Sequence, residues 1–271
     1  MASLLTSTLL LFVAGGAVGG LLLGMIGVGT ALVAVPLLTF ALPAVGVDPG
    51  IAPRVALGTS MAVVSITSVS SVISHHRLGN VDWGVFRTTV LASLAGVAAG
   101  SLVVSHLPTG VLRGVFAAFL LYTAWKMWLP AKAGVPAPCQ PDETPAAAFR
   151  LGGAAIGVAG SMIGAGGGVF MVPFLSHRGL PMKRAVATST TIGLPVTIVG
   201  VLGYALFGLK DGITGTGQLG YVHLPAFLVI SVASIATAPL GARLSSKVPA
   251  ALLKRAFALV LPMMAVKMML G

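Results

Sequence analysis

The chain has 271 residues, 56% of them apolar and only 8% charged, with sixteen Lys and Arg against five Asp and Glu. Soluble domains carry roughly a quarter charged residues, so this composition cannot solvate a globular surface and excludes a soluble fold. The basic excess lies in short connections between apolar stretches, where it orients a chain in a bilayer rather than building a nucleic-acid-binding face.

In chain order, no charged side chain occurs from Met1 to Val47, nor between Arg54 and Arg77, Arg87 and Arg113, Arg150 and Arg178, Arg184 and Lys210, or Asp211 and Arg243. Each gap can hold the ~20 apolar residues a spanning helix needs. None shows the polar stripe at 3.6-residue spacing of a soluble core helix. The predicted elements are 4–26 with 30–45, then 55–73, 84–104 and 111–129; after a join come 146–163 with 167–176, then 185–209, 222–242 and 249–269. Met1 to Thr8 carries no Lys or Arg, so the first stretch reads as a retained helix rather than a signal peptide. The fold class is all-α, a polytopic membrane helix bundle of about 8–10 membrane segments.

An internal repeat organises these elements. Gly24-Met25-Ile26-Gly27-Val28-Gly29 recurs as Ser161-Met162-Ile163-Gly164-Ala165-Gly166, and Val35-Pro36 as Val172-Pro173. Thr59-Ser60 recurs as Thr188-Ser189 and Gly79-Asn80-Val81 as Gly220-Tyr221-Val222; Gly100, Pro108 and Phe116 then match Gly241, Pro249 and Phe257 in order. The expected division is a transmembrane repeat over 1–129, a linker over 130–145 rich in Pro and Ala, and a second repeat over 146–271. Lys and Arg arbitrate the topology. If each Gly-interrupted pair crosses an even number of times, twelve basic residues including Arg77, Arg87, Arg178 and Arg184 share one face. Arg54, Arg113, Lys210 and Lys267 are left on the other. A single crossing divides them nine against seven. The even count makes each repeat cross an odd number of times, so the repeats are inverted and both termini face outside. Inverted repeats with Gly-broken helices mark secondary transporters, whose solute binds near the midplane between the repeats.

The paired glycine stretches, Gly27-Val28-Gly29 and Gly164-Ala165-Gly166-Gly167-Gly168, each followed by an apolar run ending in Val-Pro and then a Thr-Ser pair, resemble the TauE/SafE family of sulfite exporter-like membrane proteins over nearly the whole chain. The resemblance implies export of sulfite, sulfoacetate or a related sulfonate across a bacterial-type inner membrane. The expected partners are the small anionic substrate and membrane lipid, with no nucleic acid; a homo-oligomer is left open.

Glycine at this density breaks a helix, and unwound backbone at membrane depth is tolerated only inside protein or along a watery cavity. Freed N–H groups at the start of the following half-helix can hold an oxyanion. The candidate substrate-binding residues are therefore Gly27, Gly29, Gly164, Gly166, Gly167 and Gly168, joined by the hydroxyls of Thr59, Ser60, Thr188 and Ser189. Ser60, Thr67, Ser71 and Ser74 also fall on one helical face. The upstream glycines, Gly15, Gly19, Gly20, Gly153, Gly157 and Gly160, have small-xxx-small spacing for close helix packing.

No enzyme is expected, because His-Glu-x-x-His and Gly-x-Ser-x-Gly are missing. Neither metal nor cofactor is expected, and Cys139 is the sole cysteine. The acidic residues Asp48, Asp82, Asp142, Glu143 and Asp211 all fall in or beside connections, which leaves no carboxylate for proton or cation coupling within the membrane. The alternatives left standing are an anion channel, a carrier of an unrelated small solute, and a non-transporting scaffold or sensor.

Overall fold

In lipid no water satisfies the backbone, so apolar stretches of this length fold as helices. A computed structural model describes residues 2–26, 30–128, 145–215, 217–244 and 250–270. Gly27, Gly29 and the expected linker, apart from Pro145, lie outside the described residues. The helices are α1 (Ala2–Ile26), α2 (Thr30–Ala41), α3 (Ala52–Arg77), α4 (Trp83–His106) and α5 (Thr109–Trp128), then α6 (Ala146–Ile163), α7 (Gly168–His177), α8 (Met182–Lys210), α9 (Leu224–Leu244) and α10 (Ala250–Leu270). Among the described residues α3, α4, α6 and α8 are each long and apolar enough to cross a membrane. Large apolar side chains such as Leu10, Leu91, Leu151, Leu206 and Val232 stand exposed around the outside, as a surface facing acyl chains requires.

The largest helix–helix contacts join different halves of the chain. α1 packs on α9 and α6 on α4; α3 packs on α9 and α8 on α4; α3 meets α8 and α5 meets α10. The list is unchanged when the five helices of one half are exchanged with those of the other. Glycine permits the closest of these approaches. A Cβ on Gly16 would lie 2.7 Å from the Ile230 carbonyl of α9, and one on Gly157 2.9 Å from the Val97 nitrogen of α4. Small residues let transmembrane backbones approach this closely and gain dispersion energy where no hydrophobic effect acts between helices. Gly15 and Gly19 serve a different contact, facing Leu37 and Thr30 of α2. Because numbering rises along α2 as it falls along α1, α2 folds back antiparallel on α1. α7 returns likewise on α6, where Phe174 covers Gly152 and its ring meets Phe149 at 6.2 Å.

Between α8 and α9 lies a feature absent from the sequence expectation, a two-residue antiparallel ladder pairing Gln218 with His223 and Leu219 with Val222. Its turn glycine, Gly220, has φ +57° and sits against the Ala205 backbone of α8, leaving no room for a side chain. The ladder seats Tyr221 and His223 in the protein interior, Tyr221 2% exposed and His223 6%.

Candidate functional site

The break between α6 and α7 is built from glycines in the left-handed region: Gly164 (φ +70°), Gly166 (φ +61°) and Gly167 (φ +78°). L-residues with a Cβ avoid this conformation by roughly 1–2 kcal/mol each, so the sequence pattern is the geometric requirement of the turn. Gly164 ends α6, its N–H donating to the Gly160 and Ser161 carbonyls. The turn is wedged among three helices. A Cβ on Gly164 would lie 3.1 Å from both Leu57 Cδ2 and Val35 Cγ2, and one on Gly166 would overlap the Thr197 methyl. Gly193 and Thr197 lie halfway along α8, so the break sits at mid-depth in the bundle. Gly166 and Gly167 are the centre of a turn that brings the Gly168 N–H to the Ala165 carbonyl, and the N–H groups of Gly166, Gly167 and Val169 have no hydrogen-bond partner among the described residues.

The two Thr-Ser pairs meet this turn and its surroundings in a divided way. Ser60 Oγ donates to the Gly164 carbonyl at 3.0 Å, and Ser189 Oγ to the Gly168 carbonyl at 3.4 Å. The threonines instead accept. His223 N–H donates to Thr59 Oγ1 and Asp82 N–H to Thr188 Oγ1, both at 2.9 Å. Thr59, Ser60 and Thr188 are 0% exposed and Ser189 is 2%. All four hydroxyls therefore hold backbone of a distant element, Ser60 and Ser189 at the glycine turn and the threonines at the starts of α9 and α4.

Asp82 and His223 are the functional-looking residues that sequence reading missed. Each caps the helix that follows: Val85 N–H donates to Asp82 Oδ1 at 3.0 Å, and Ala226 N–H to His223 Nδ1 at 3.1 Å. An acceptor at the N-cap satisfies one of the orphan donors of the first turn. The alignment of Gly79-Asn80-Val81 with Gly220-Tyr221-Val222, carried one residue further, pairs Asp82 with His223. The different side chains hid the shared role. Burial lowers the pKa of His223 and so favours the neutral ring, which keeps Nδ1 free to accept.

Arg54 and Arg184, in the first turns of the helices that carry the Thr-Ser pairs, are engaged as well. Arg54 donates from Nη2 to the Leu107 carbonyl at 2.8 Å and lies 5.9 Å from the Tyr221 ring centre. Tyr221 in turn donates to Asp211 Oδ2 at 2.6 Å, and burial with that hydrogen bond pushes its pKa up to about 12. Arg184 pairs with Asp82 at 3.2 Å. The polar face expected through Ser60, Thr67, Ser71 and Ser74 is divided. Ser60 is buried at Gly164, whereas Thr67, Ser70, Ser74 and Arg77 line an open groove of about 400 Å³.

The sequence model of the family described as "Sulfite exporter TauE/SafE" matches residues 11–268. The chain belongs to the TauE/SafE family. Among relatives of this TauE/SafE protein, a "Probable membrane transporter protein" of Haemophilus influenzae is 36% identical over 255 residues, covering 94% of this chain and 96% of its own. One of Methanocaldococcus jannaschii, similarly described, is 30% identical over 234 residues, 86% of this chain and 85% of its own. A Bacillus subtilis relative is 28% identical over 245 residues, with 88% and 90% covered. No solved structure matches the TauE/SafE chain. Its membership and its apolar helices make it a multi-pass membrane transporter.

Proposed function

We propose that this TauE/SafE protein exports a small sulfur-containing anion, sulfite or a sulfonate such as sulfoacetate, across an inner membrane by alternating access. The anion binds at the glycine break between the two repeats, over 1–129 and 146–271. The observation that carries the reading is the left-handed glycine turn at mid-depth, where the N–H groups of Gly166, Gly167 and Val169 lack partners among the described residues. Backbone amides at the start of α7 supply positive potential without a buried formal charge, which suits a solute that must be released again. Ser60 and Ser189 shape that site through the backbone they hold, Thr59 and Thr188 fix the starts of α9 and α4, and Gly27 and Gly29 are assigned to it from the sequence repeat alone.

Inversion of the repeats is supported by the ends of the helices. The start of α8 (Arg184, Thr188) lies at the start of α4, whereas the start of α3 (Arg54, Thr59) lies at the ladder that follows the end of α8. Equivalent helices then cross in opposite senses. Labelling of cysteines placed after Ala44 and after His177 should report opposite sides of the membrane; the same side for both would remove the inversion.

The energy source follows from the acids. Asp82 caps α4, Asp211 ends α8, and Asp48 accepts from Gly50 N–H in the α2–α3 connection. Without an intramembrane carboxylate among them, a monovalent anion leaves down the inside-negative potential. That potential supplies about 2.3 kcal/mol per charge per 100 mV, enough for more than a tenfold outward gradient. Efflux of sulfite, sulfoacetate, thiosulfate and sulfate from sealed proteoliposomes tests the substrate, and imposed potentials test the drive. Efflux that ignores the potential and follows an imposed pH gradient defeats the electrogenic mechanism. Loss of all four fluxes defeats the substrate assignment.

A further inference from the structure

The groove along the C-terminal half of α3 differs from the matching face of its repeat-mate in its polar residues. It holds about 400 Å³ between α3 and Ile235 of α9, walled by Thr67, Ser70, Ser74 and Arg77 on its polar side and by Ile66, Val69 and Ile73 on its apolar side. Aligning Thr59-Ser60 with Thr188-Ser189 sets Ser70, Ser74 and Arg77 against Val199, Gly203 and Leu206 of α8. On that helix Ile198, Leu202 and Leu206 are 46%, 55% and 64% exposed, the surface expected against acyl chains. Two copies of one unit have thus diverged. Both keep exposed apolar side chains at the aligned positions, Val69 and Ile73 on α3 and Ile198 and Leu202 on α8, and α3 adds Ser70 and Ser74 beside them with Arg77 where α8 has Leu206.

Hydrogen bonding defines what the hydroxyls can do. Thr67 Oγ1 donates to the Val63 carbonyl and Ser74 Oγ to the Ser70 carbonyl, both at 2.9 Å. Their protons are spent within the helix, so they offer the groove lone pairs, which accept from water and repel an anion. Ser70 has no such internal bond among the described residues, and Arg77 makes no ion pair there. These two are the lining groups free to donate. Seven residues of α-helix separate them by roughly 10 Å. At about 30 Å³ per water, the groove has room for roughly a dozen waters or for a hydrated tetrahedral oxyanion. Next to Arg77 in the chain, His76 meets Trp83 edge-on at 5.5 Å, with Trp83 42% exposed. Trp at this position marks the level of the membrane–water interface, so Arg77 lies where the groove meets bulk water.

We infer that this groove is a water-filled entrance through which the anion reaches the bundle from the side where α3 ends, with Arg77 as the capturing cation and Ser70 the next donor inward. The inference rests on the transporter reading above. Its occupant is a free small oxyanion in water, not a lipid phosphate.

The test uses the full chain with Cys139→Ser, carrying Ser70→Cys or Ser74→Cys, in membrane vesicles of either orientation. Leu202→Cys and Leu206→Cys on α8 are the comparison. Groove cysteines should react with a charged, water-borne methanethiosulfonate from the α3-end side, and the α8 cysteines should not. Adding Arg77→Gln should slow the anionic reagent about two- to fivefold and not slow the cationic one, the size expected for one charge at this range near low-dielectric walls. In efflux assays Arg77→Gln should raise KM severalfold with kcat nearly unchanged. Arg77→Lys should restore it, and Arg87→Gln, on exposed α4 surface, should behave as wild type. Groove cysteines that are inert to water-borne reagents but broadened by spin-labelled lipid would make the groove a lipid seat and overturn the inference, even with transport intact. An unchanged KM in Arg77→Gln overturns the capture role. Absence of anion flux in the unmodified protein, with reactive groove cysteines, overturns the transporter reading instead and takes the solute entrance with it.

Discussion

Replacing Thr59 by valine removes one acceptor and almost no volume, which makes it the sharpest probe of how the site is held. Thr59 is 0% exposed and accepts the N–H of His223, itself 6% exposed, across 164 residues of sequence. The orphaned N–H has no water to turn to, and a buried unsatisfied donor costs about 1–3 kcal/mol. Thr188→Val orphans the Asp82 N–H, but the Asp82 side chain is 20% exposed beside Arg184, so water can substitute and the loss should be about 0.5–1.5 kcal/mol. Thr191→Val is the control, since Thr191 Oγ1 only donates to the Ala187 carbonyl one turn back on its own helix; removing such a bond should be close to neutral. The two anchoring sites have no shared partner, so the double variant should lose the sum of the single losses within about 0.5 kcal/mol. Equilibrium unfolding by SDS in mixed micelles, followed by far-UV circular dichroism, reads all four. The reasoning is refuted if Thr59→Val is no less stable than Thr191→Val. A Thr59→Val protein of full stability and poor efflux would instead make that hydroxyl a substrate contact.

The remaining predictions concern the turn, the cap and the packing. Gly164→Ala should lose about 1–2 kcal/mol from its left-handed φ alone and more from crowding Leu57 and Val35, whereas Gly168→Ala, whose Cβ would meet nothing within 4 Å, should fold normally; comparable melting of the two would remove the strain argument. Gly166→Ala should be partly rescued by Thr197→Ser, which deletes the methyl its Cβ would strike, and a double variant no better than the single would show that the clash is not the cause. His223 has a lowered folded-state pKa, so the unfolded chain binds the proton more readily. Its contribution is complete above the ordinary histidine value of 6.5 and is lost as pH falls below it. His223→Asn keeps an acceptor at the cap without titrating, and should flatten that part of a stability–pH profile; an unchanged slope would acquit His223. Gly20→Val should disrupt the α1–α9 contact, where its side chain would strike the Ser234 backbone, and should lower yield of folded protein far more than Gly114→Val, at a position facing open space; equal yields would contradict the packing role.

Helices and membrane insertion were legible in the residues because they depend on local quantities. A run without charge either spans or does not, and the predicted stretches agree with α1 to α10 to within a few residues. The glycine break was legible for the same reason, since only glycine tolerates three left-handed positions in four residues. Membership of the TauE/SafE family was readable from the doubled order of short motifs. What the tertiary structure alone decided is long-range. The sequence marked Thr59 and Thr188 as a repeated pair, but not that each grips the cap of the fourth helix of a half, one across 164 residues and the other across 106. Nor could it say that Ser60 leaves the polar face of α3 to hold Gly164, or that Ser70 and Arg77 complete that face as a groove. A hydroxyl on a membrane helix has the same local chemistry whether it bonds its own turn, another backbone or water. Only the neighbour brought up by the fold, here α9 or the α6–α7 turn, settles which.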